Sequence, residues 1–460
     1  MEVTERWLNK LIDMEEVMYQ GMILGPMIVM LTSFYSINLV SVMFAGHIGD
    51  LQLAAANLAH SWAVITGFSF MFGLSAVVEP LCRQAYRTRT YRMLQIHLQI
   101  SCIILFFFSI AIALLWWYSD AILVHVFHQD YDIAKEAGVY LKFLIPGLFG
   151  YGVLQNVMRF LKAQSILDPM FVFLLASLVI HIAIIAYALV HWTGLGFKGA
   201  SLATSISIWI SLLMFSLYVF FSNSFNHITW NYGFSFEPFH HLVTNLKLAL
   251  PSAAMACTCE IVVVVVDDVH RYIHSLECCG FEILVLLAGL MPNPVTTIST
   301  IAMSLNIQAI AHMLSSGLSL AVRLNMHIYN VLGVTITPSV SISPELQTRA
   351  ENPGEVRHVV AAAVKLTILF GLDLCLALLN HHVGWAGLFS NNAEIIKKFA
   401  SMIPLLLISF ILDFSQGILS GVMDRLDMWS SYLSFRLIAT DIIAEIMETD
   451  RGLNKWPSTK

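Results

Sequence analysis

Between residues 22 and 423 the chain returns again and again to apolar stretches of about 20 residues or more, the length an α-helix needs to cross a hydrocarbon core ~30 Å thick. Ten such segments are read: 22–46, 54–80, 94–117, 139–158, 169–192, 199–221, 248–290 (interrupted), 294–322, 358–380 and 399–423. Lipid offers no partner to an exposed N–H or C=O, so each segment has to be helical. The chain is 58% hydrophobic and 12% charged, with a mean hydropathy of +0.75. A soluble domain is roughly 45–50% apolar and about 25% charged. The contrast excludes a soluble enzyme, a disordered chain and a small disulfide scaffold, and leaves an all-α polytopic membrane protein.

Charge in the connections sets the expected orientation. Arg83, Arg87, Arg89 and Arg92 follow the second segment, whereas 118–138 holds Lys135 among Asp120, Asp130, Asp132 and Glu136. Arg159 and Lys162 follow the fourth segment. The even-numbered connections and the N-terminus are therefore expected in the cytoplasm. The opening MEVTERWLNK is mixed in charge, so no cleaved signal peptide is expected. A net charge of −6 gives no reason to expect a nucleic-acid partner.

Transporters are often built from repeated halves, and weak internal matches point to a six-plus-six duplication. Pro26 and Pro251 both follow the apolar start of a segment, 225 residues apart. Ala45-Gly46 and Ala288-Gly289 are 243 apart, and Gly73-Leu74-Ser75 and Gly317-Leu318-Ser319 are 244 apart. Ile145-Pro146 and Ile403-Pro404 are 258 apart. The jump in offset within segment 7 marks 258–275 as an insertion that brings Asp267, Asp268, His270 and Arg271 into an apolar span. A second insertion is read at 324–341. The tail 424–460 carries eleven charged residues, where the repeat calls for two more spans.

Taken together, several stretches resemble the multidrug and toxic compound extrusion (MATE) family in its plant branch. They are SVMFAGHIGDLQLAAANLAHS at 41–61, ITGFSFMFGLSAVVEPLCRQAY at 65–86, RFLKAQS at 159–165, LKLALPSAAMAC at 246–257, LECCGFEILVLLAGLMPNP at 276–294, ENPGEVR at 351–357 and LDFSQGILSGV at 412–422. The resemblance covers about residues 15–423. It implies two six-helix lobes around a central cleft and cation-coupled export of organic compounds. On this pattern 1–21 is a cytoplasmic N-terminus and 22–221 the six-helix N-lobe. Residues 222–247 form a cytoplasmic linker, 248–423 an incomplete C-lobe of spans 7–10, and 424–460 a charged tail. About ten of twelve spans are expected. Two family glycines are replaced by Arg83 and Arg87, which is expected to disturb the end of span 2. The VSNELGAGNP-type motif is reduced to Pro344-Glu345-Leu346 and Asn352-Pro353.

An ionisable side chain inside a membrane helix is costly and points to function. Asp413 lies nine residues after Pro404, and its repeat partner is the neutral Gln155, nine after Pro146. By resemblance Asp413 is the family's span-10 carboxylate, and Glu277 is the span-7 acid that joins it in a cation site. Glu282 is the second acid of that span-7 pattern, and a structural role competes there. Gln155, Asn156 and Gln416 are candidates for neutral contacts to substrate, with helix packing as the alternative. Tyr35, Asn38, Phe68 and Phe72 are candidate cleft walls, since aromatic faces suit flat or cationic organic solutes. Aromatics make up 12% of the chain, so packing and lipid contact compete for each. Glu260, inside the insertion, mimics Glu277 in sequence and is read as an artefact of the insertion, and Asp373 lacks motif support as a site. Glu79 is expected to pair with a nearby arginine, and His181 to be a satisfied core residue.

The spacing of Cys257, Cys259, Cys278 and Cys279 is not that of a zinc knuckle, so no metal or cofactor is expected. No GxxxxGK[ST] pattern supports ATP-driven export. The sequence thus points away from an enzyme and toward a monomeric secondary-active antiporter of the plasma or vacuolar membrane. Its partners are a small organic solute, a coupling cation (a proton on the plant-branch resemblance) and membrane lipid. The alternative is a non-transporting remnant or gene-model artefact of such a transporter.

Overall fold

The computed structural model describes residues 14–164, 166, 168–221, 238–257, 282–334 and 353–423. Among them nine helices are long and apolar enough to cross a membrane: Ile28–Ile48, Asp50–Arg87, Tyr91–Trp117, Tyr131–Ala163, Pro169–Val190, Phe197–Phe221, Pro294–Ser315, Ile368–Gly387 and Ala393–Ser415. They fall on nine of the ten expected segments. The tenth, segment 7, is described as the helix Pro238–Cys257 and a helical run from 282 to 288. The insertion 258–275, the part 222–237 of the expected linker 222–247 and the tail 424–460 lie outside the described residues, and the rest of that linker, 238–247, is the start of the helix Pro238–Cys257. Part of the second insertion is described: the helix Pro294–Val334 runs through 324–334 without a break, because no proline interrupts it after Pro294. The next helix, Pro353–Gly387, opens on a proline, whose missing N–H costs nothing at a first helical position.

The described chain groups into two compact units, one of Ser33–Leu305 with Ala386–Phe399, the other of Met1–Thr32, Asn306–Trp385 and Ala400–Lys460. In the first unit the helix Tyr131–Ala163 is the hub, packed by Asp50–Ala63, Tyr91–Trp117 and Phe197–Phe221. Pro146 lies inside the hub, where its missing N–H leaves the Lys142 carbonyl without its ladder donor. The Ser205 hydroxyl donates to the Phe143 carbonyl at 2.9 Å and the Trp209 indole N–H to the Pro146 carbonyl at 2.9 Å. These two bonds fasten the hub to Phe197–Phe221.

His181 is fully buried where Asp168–Ile180 passes into a π-helical turn, His181–Ala186. Its Nε2 bonds the Ser41 hydroxyl at 3.2 Å and its Nδ1 the Ser207 hydroxyl at 2.7 Å, while Ser41 also bonds Thr204 at 2.6 Å. It is a satisfied core histidine, as the sequence suggests, and it ties three helices together. His181→Leu leaves two buried hydroxyls without their ring partner. It is expected to destabilise this unit by roughly 2 kcal/mol, read as a lower unfolding midpoint in detergent; an unchanged midpoint would contradict this role.

Candidate transport site

Asp413 sits well inside Ala393–Met423 and is buried, 7% exposed. The helix Pro294–Val334 supplies its surroundings. The Gln308 carboxamide donates to Asp413 Oδ2, and the Ser315 hydroxyl donates to the Asp413 main-chain carbonyl at 3.0 Å. Gln308 and Ser315 are seven residues apart, two turns along one face of their helix, and both are buried. A carboxylate that accepts from a neutral amide in a buried place is a group able to take up a proton or a small cation. Sequence reasoning missed Gln308 and Ser315. The available signal was the polar series Gln308, His312, Ser315 at helical spacing, in a span that also holds Thr300, Ser304 and Asn306.

Glu277 lies outside the described residues. Glu282 heads the short run 282–288, half-buried, and hydrogen-bonds Ser61 in the Ser33–Leu305 unit. Gln155 is buried and hydrogen-bonds the Tyr151 hydroxyl one turn before it. Asn156 is fully buried, accepts from Ser101 Oγ at 2.9 Å and donates to Cys102 Sγ at 3.5 Å. Its amide therefore joins two helices, the packing role weighed from sequence. The backbone of Gln416 is helical; its side chain is outside the described set.

The aromatic candidates separate into two settings. Phe68 is buried, with its ring 4.6 Å from Tyr151 and 5.5 Å from Trp116. Phe72 is 50% exposed, and the Arg159 guanidinium lies over its ring at 4.3 Å. Tyr35 and Asn38 are half-buried. The structure thus brings Phe68 and Gln155 together on Tyr151, and Phe72 onto Arg159, two anchor residues absent from the sequence-based site.

Arg159 is 9% exposed. It donates to Ser75 Oγ at 2.8 Å and to the Phe72 carbonyl at 3.2 Å, and stands 3.8 Å from Glu79. Glu79 also pairs with Arg83 at 2.7 Å, as expected for it. The helix Val78–Arg87 stays regular through Arg83 and Arg87, contrary to the expected disturbance, because both are helical positions that demand no glycine. The left-handed residue comes two places later, at Arg89 (φ 55), in a turn closed by Thr88 Oγ1 and Thr90 Oγ1 at 2.9 Å. Asp373 is exposed on its helix. Among the described residues no group of three or more His, Cys, Asp or Glu gathers to hold a metal.

A family model described as MatE matches residues 26–187. Protein DETOXIFICATION 18 of Arabidopsis thaliana is 44% identical over 416 residues, spanning 90% of this chain and 80% of that protein. Protein DETOXIFICATION 17 of the same plant is 36% identical over 420 residues, 91% of this chain and 80% of that protein. The crystal structure of the eukaryotic MATE transporter AtDTX14 is similar with a TM-score of 0.66 at 32% identity, covering 89% of this chain and 83% of that one.

Proposed function

The chain belongs to the MATE family, in its plant DETOXIFICATION branch, and we propose that it is a secondary-active antiporter that exports organic compounds in exchange for a cation, the proton. The observation that carries this reading is the buried Asp413 held by Gln308 and Ser315. An antiporter needs a group whose affinity for its cation differs between the states that take up and release the solute. A carboxylate out of water, bonded to a neutral donor that can accommodate either protonation state, is suited to that task. Its charge is compensated when the cation is bound and exposed to the low-dielectric surroundings when it leaves. Coupling then follows if solute binding is favourable only in the uncompensated state.

In this reading the lobes are 22–221 and 248–423, and Glu277 is a second acid of the coupling site. Glu282 is a supporting acid of span 7. The solute wall includes Phe72, Tyr35 and Asn38, with Gln155 and Gln416 as neutral donors. The half-exposed Phe72 ring, fixed by Arg159, offers an apolar face to a planar solute. The polybasic turn Arg83–Arg92 faces the cytoplasm, and the membrane is the vacuolar or the plasma membrane.

The test is efflux of a fluorescent organic cation from proteoliposomes carrying the purified chain, with an imposed proton or sodium gradient. Efflux that follows the proton gradient and stops when the gradient is dissipated is the expected result. Equal efflux with no gradient points to a leak. No efflux from a folded chain favours the remnant reading, in which 258–275 disables the C-lobe.

A further inference from the structure

The Ser33–Leu305 unit contains two clasps between connections that are far apart in sequence. In the first, Asp50, the opening residue of Asp50–Ala63, accepts from Ser390 Oγ at 2.9 Å on one carboxylate oxygen and from Asn392 Nδ2 at 2.7 Å on the other. The partner loop is itself organised for this contact. The Asn392 N–H donates to Ser390 Oγ at 3.0 Å, and Asn392 Oδ1 accepts from the Glu394 N–H at 2.9 Å, capping the helix Ala393–Met423. Close by, the Phe389 carbonyl rests on Gly46, where any Cβ would collide with it. In the second clasp, Gln129 Nε2 donates to the Leu286 carbonyl at 3.0 Å, and the Gln129 carboxamide fills the space over Gly289. Gln129 is buried.

These residues stand at the connections after spans 1, 3, 7 and 9. Spans 1 and 3 run in the same direction, so Asp50 and Gln129 share one face of the membrane, and their bonds bring Ser390, Asn392 and Leu286 to it. Each clasp therefore joins a connection of the first half of the chain to one of the second half, on the face opposite Arg83, Arg87, Arg89 and Arg92. Two of the bonds end on one carboxylate, one on each oxygen.

We propose that Asp50 is the central acceptor of an outer gate: its bonds from Ser390 and Asn392, together with the Gln129–Leu286 bond, hold this face closed and release together whenever it opens. The role as a transport gate rests on the exporter reading above, since alternating access requires that these four connections part to let solute leave. Asp50 is then a positioning residue for the transport cycle. It touches neither solute nor coupling cation.

If the two clasps form one gate, loosening either must loosen both, because coupling between sites is reciprocal. Hydrogen exchange read by mass spectrometry on the full chain in nanodiscs tests this without any transport measurement. Asp50→Ala is expected to speed exchange about tenfold in peptides over 386–393 and also over 286–293. Gln129→Ala is expected to do the same in both. A purely local role predicts acceleration only in the mutated residue's own clasp; that result, or no acceleration at all, overturns the proposal. Should Asp50→Ala fail to fold, Ser390→Ala and Asn392→Ala remove the donors instead and are read the same way. Coupled exchange in a chain without gradient-driven efflux keeps the gate and removes the antiport reading. Gradient-driven efflux with uncoupled clasps does the reverse.

Discussion

Asp413→Asn abolishes gradient-driven efflux while the protein stays folded: that is the expected result for the coupling role. The substitution is nearly isosteric. The carboxamide it introduces keeps an oxygen to accept from Gln308, and the Ser315 bond goes to the main-chain carbonyl, which the substitution does not touch. What disappears is the capacity to carry and lose a charge. The expected loss in initial rate under an imposed gradient is at least about a hundredfold, equivalent to roughly 2.7 kcal/mol. The unfolding midpoint in detergent is expected to move little, since buried shape and hydrogen-bond count are nearly preserved. Solute binding, measured separately by fluorescence quenching, is expected to persist but to lose its response to the coupling cation. Wild-type gradient dependence in Asp413→Asn would move the coupling function elsewhere, Glu277 being the next residue to test. Gln308→Leu probes the same site from the other side. It removes the Gln308 amide donor from the carboxylate and is expected to alter the cation concentration needed for half-maximal efflux rather than to abolish transport.

The legible and illegible parts of the molecule differ for physical reasons. The span Tyr91–Trp117 is visible in the sequence as 94–117, and Phe197–Phe221 as 199–221, because a helix surrounded by lipid has to be apolar along its whole length. Asp413 is visible because a charge within such a stretch is expensive. Its partners Gln308 and Ser315 are not, since neutral polar residues occur along many membrane helices and only the packing of one helix on another says which of them meet. The same holds for Asn156. Its amide stands out in the sequence, but Ser101 and Cys102 lie more than fifty residues earlier, and their contact decides that Asn156 is spent on packing. Asp50 reads only as part of a family stretch; its partners are 340 and 342 residues away. The π-helical turn Val64–Phe68 has no sequence mark at all, for VITGF contains no proline, and the extra residue per turn is stabilised from outside by Trp116.

That outside support gives the second large effect, Trp116→Ala. Trp116 is completely buried. Its indole N–H donates to Thr66 Oγ1 at 3.0 Å, and Thr66 in turn donates to the Trp62 carbonyl at 2.6 Å, within and just before the widened turn. Its ring meets Phe68 edge-on at 5.5 Å and 83°, and it covers Gly67 so closely that a Cβ there would strike the indole. In a soluble protein, truncating such a Trp costs about 3–5 kcal/mol. In a bilayer part of that cost, the transfer out of water, is absent, because lipid is as apolar as the protein interior. The cavity and the lost hydrogen bond remain, so the expected destabilisation is about 3 kcal/mol, seen as a lower unfolding midpoint in detergent. Trp116→Phe is expected to recover the ring contact without the hydrogen bond and to fall between the two. The sharper check is a change of sign at Gly67. In the wild-type background Gly67→Ala collides with the indole and destabilises; in the Trp116→Ala background the added methyl enters the vacated space and the same substitution becomes neutral or stabilising. Contacting residues show just such non-additive energies. Equal, additive losses in both backgrounds would mean that the indole does not hold the widened turn in place.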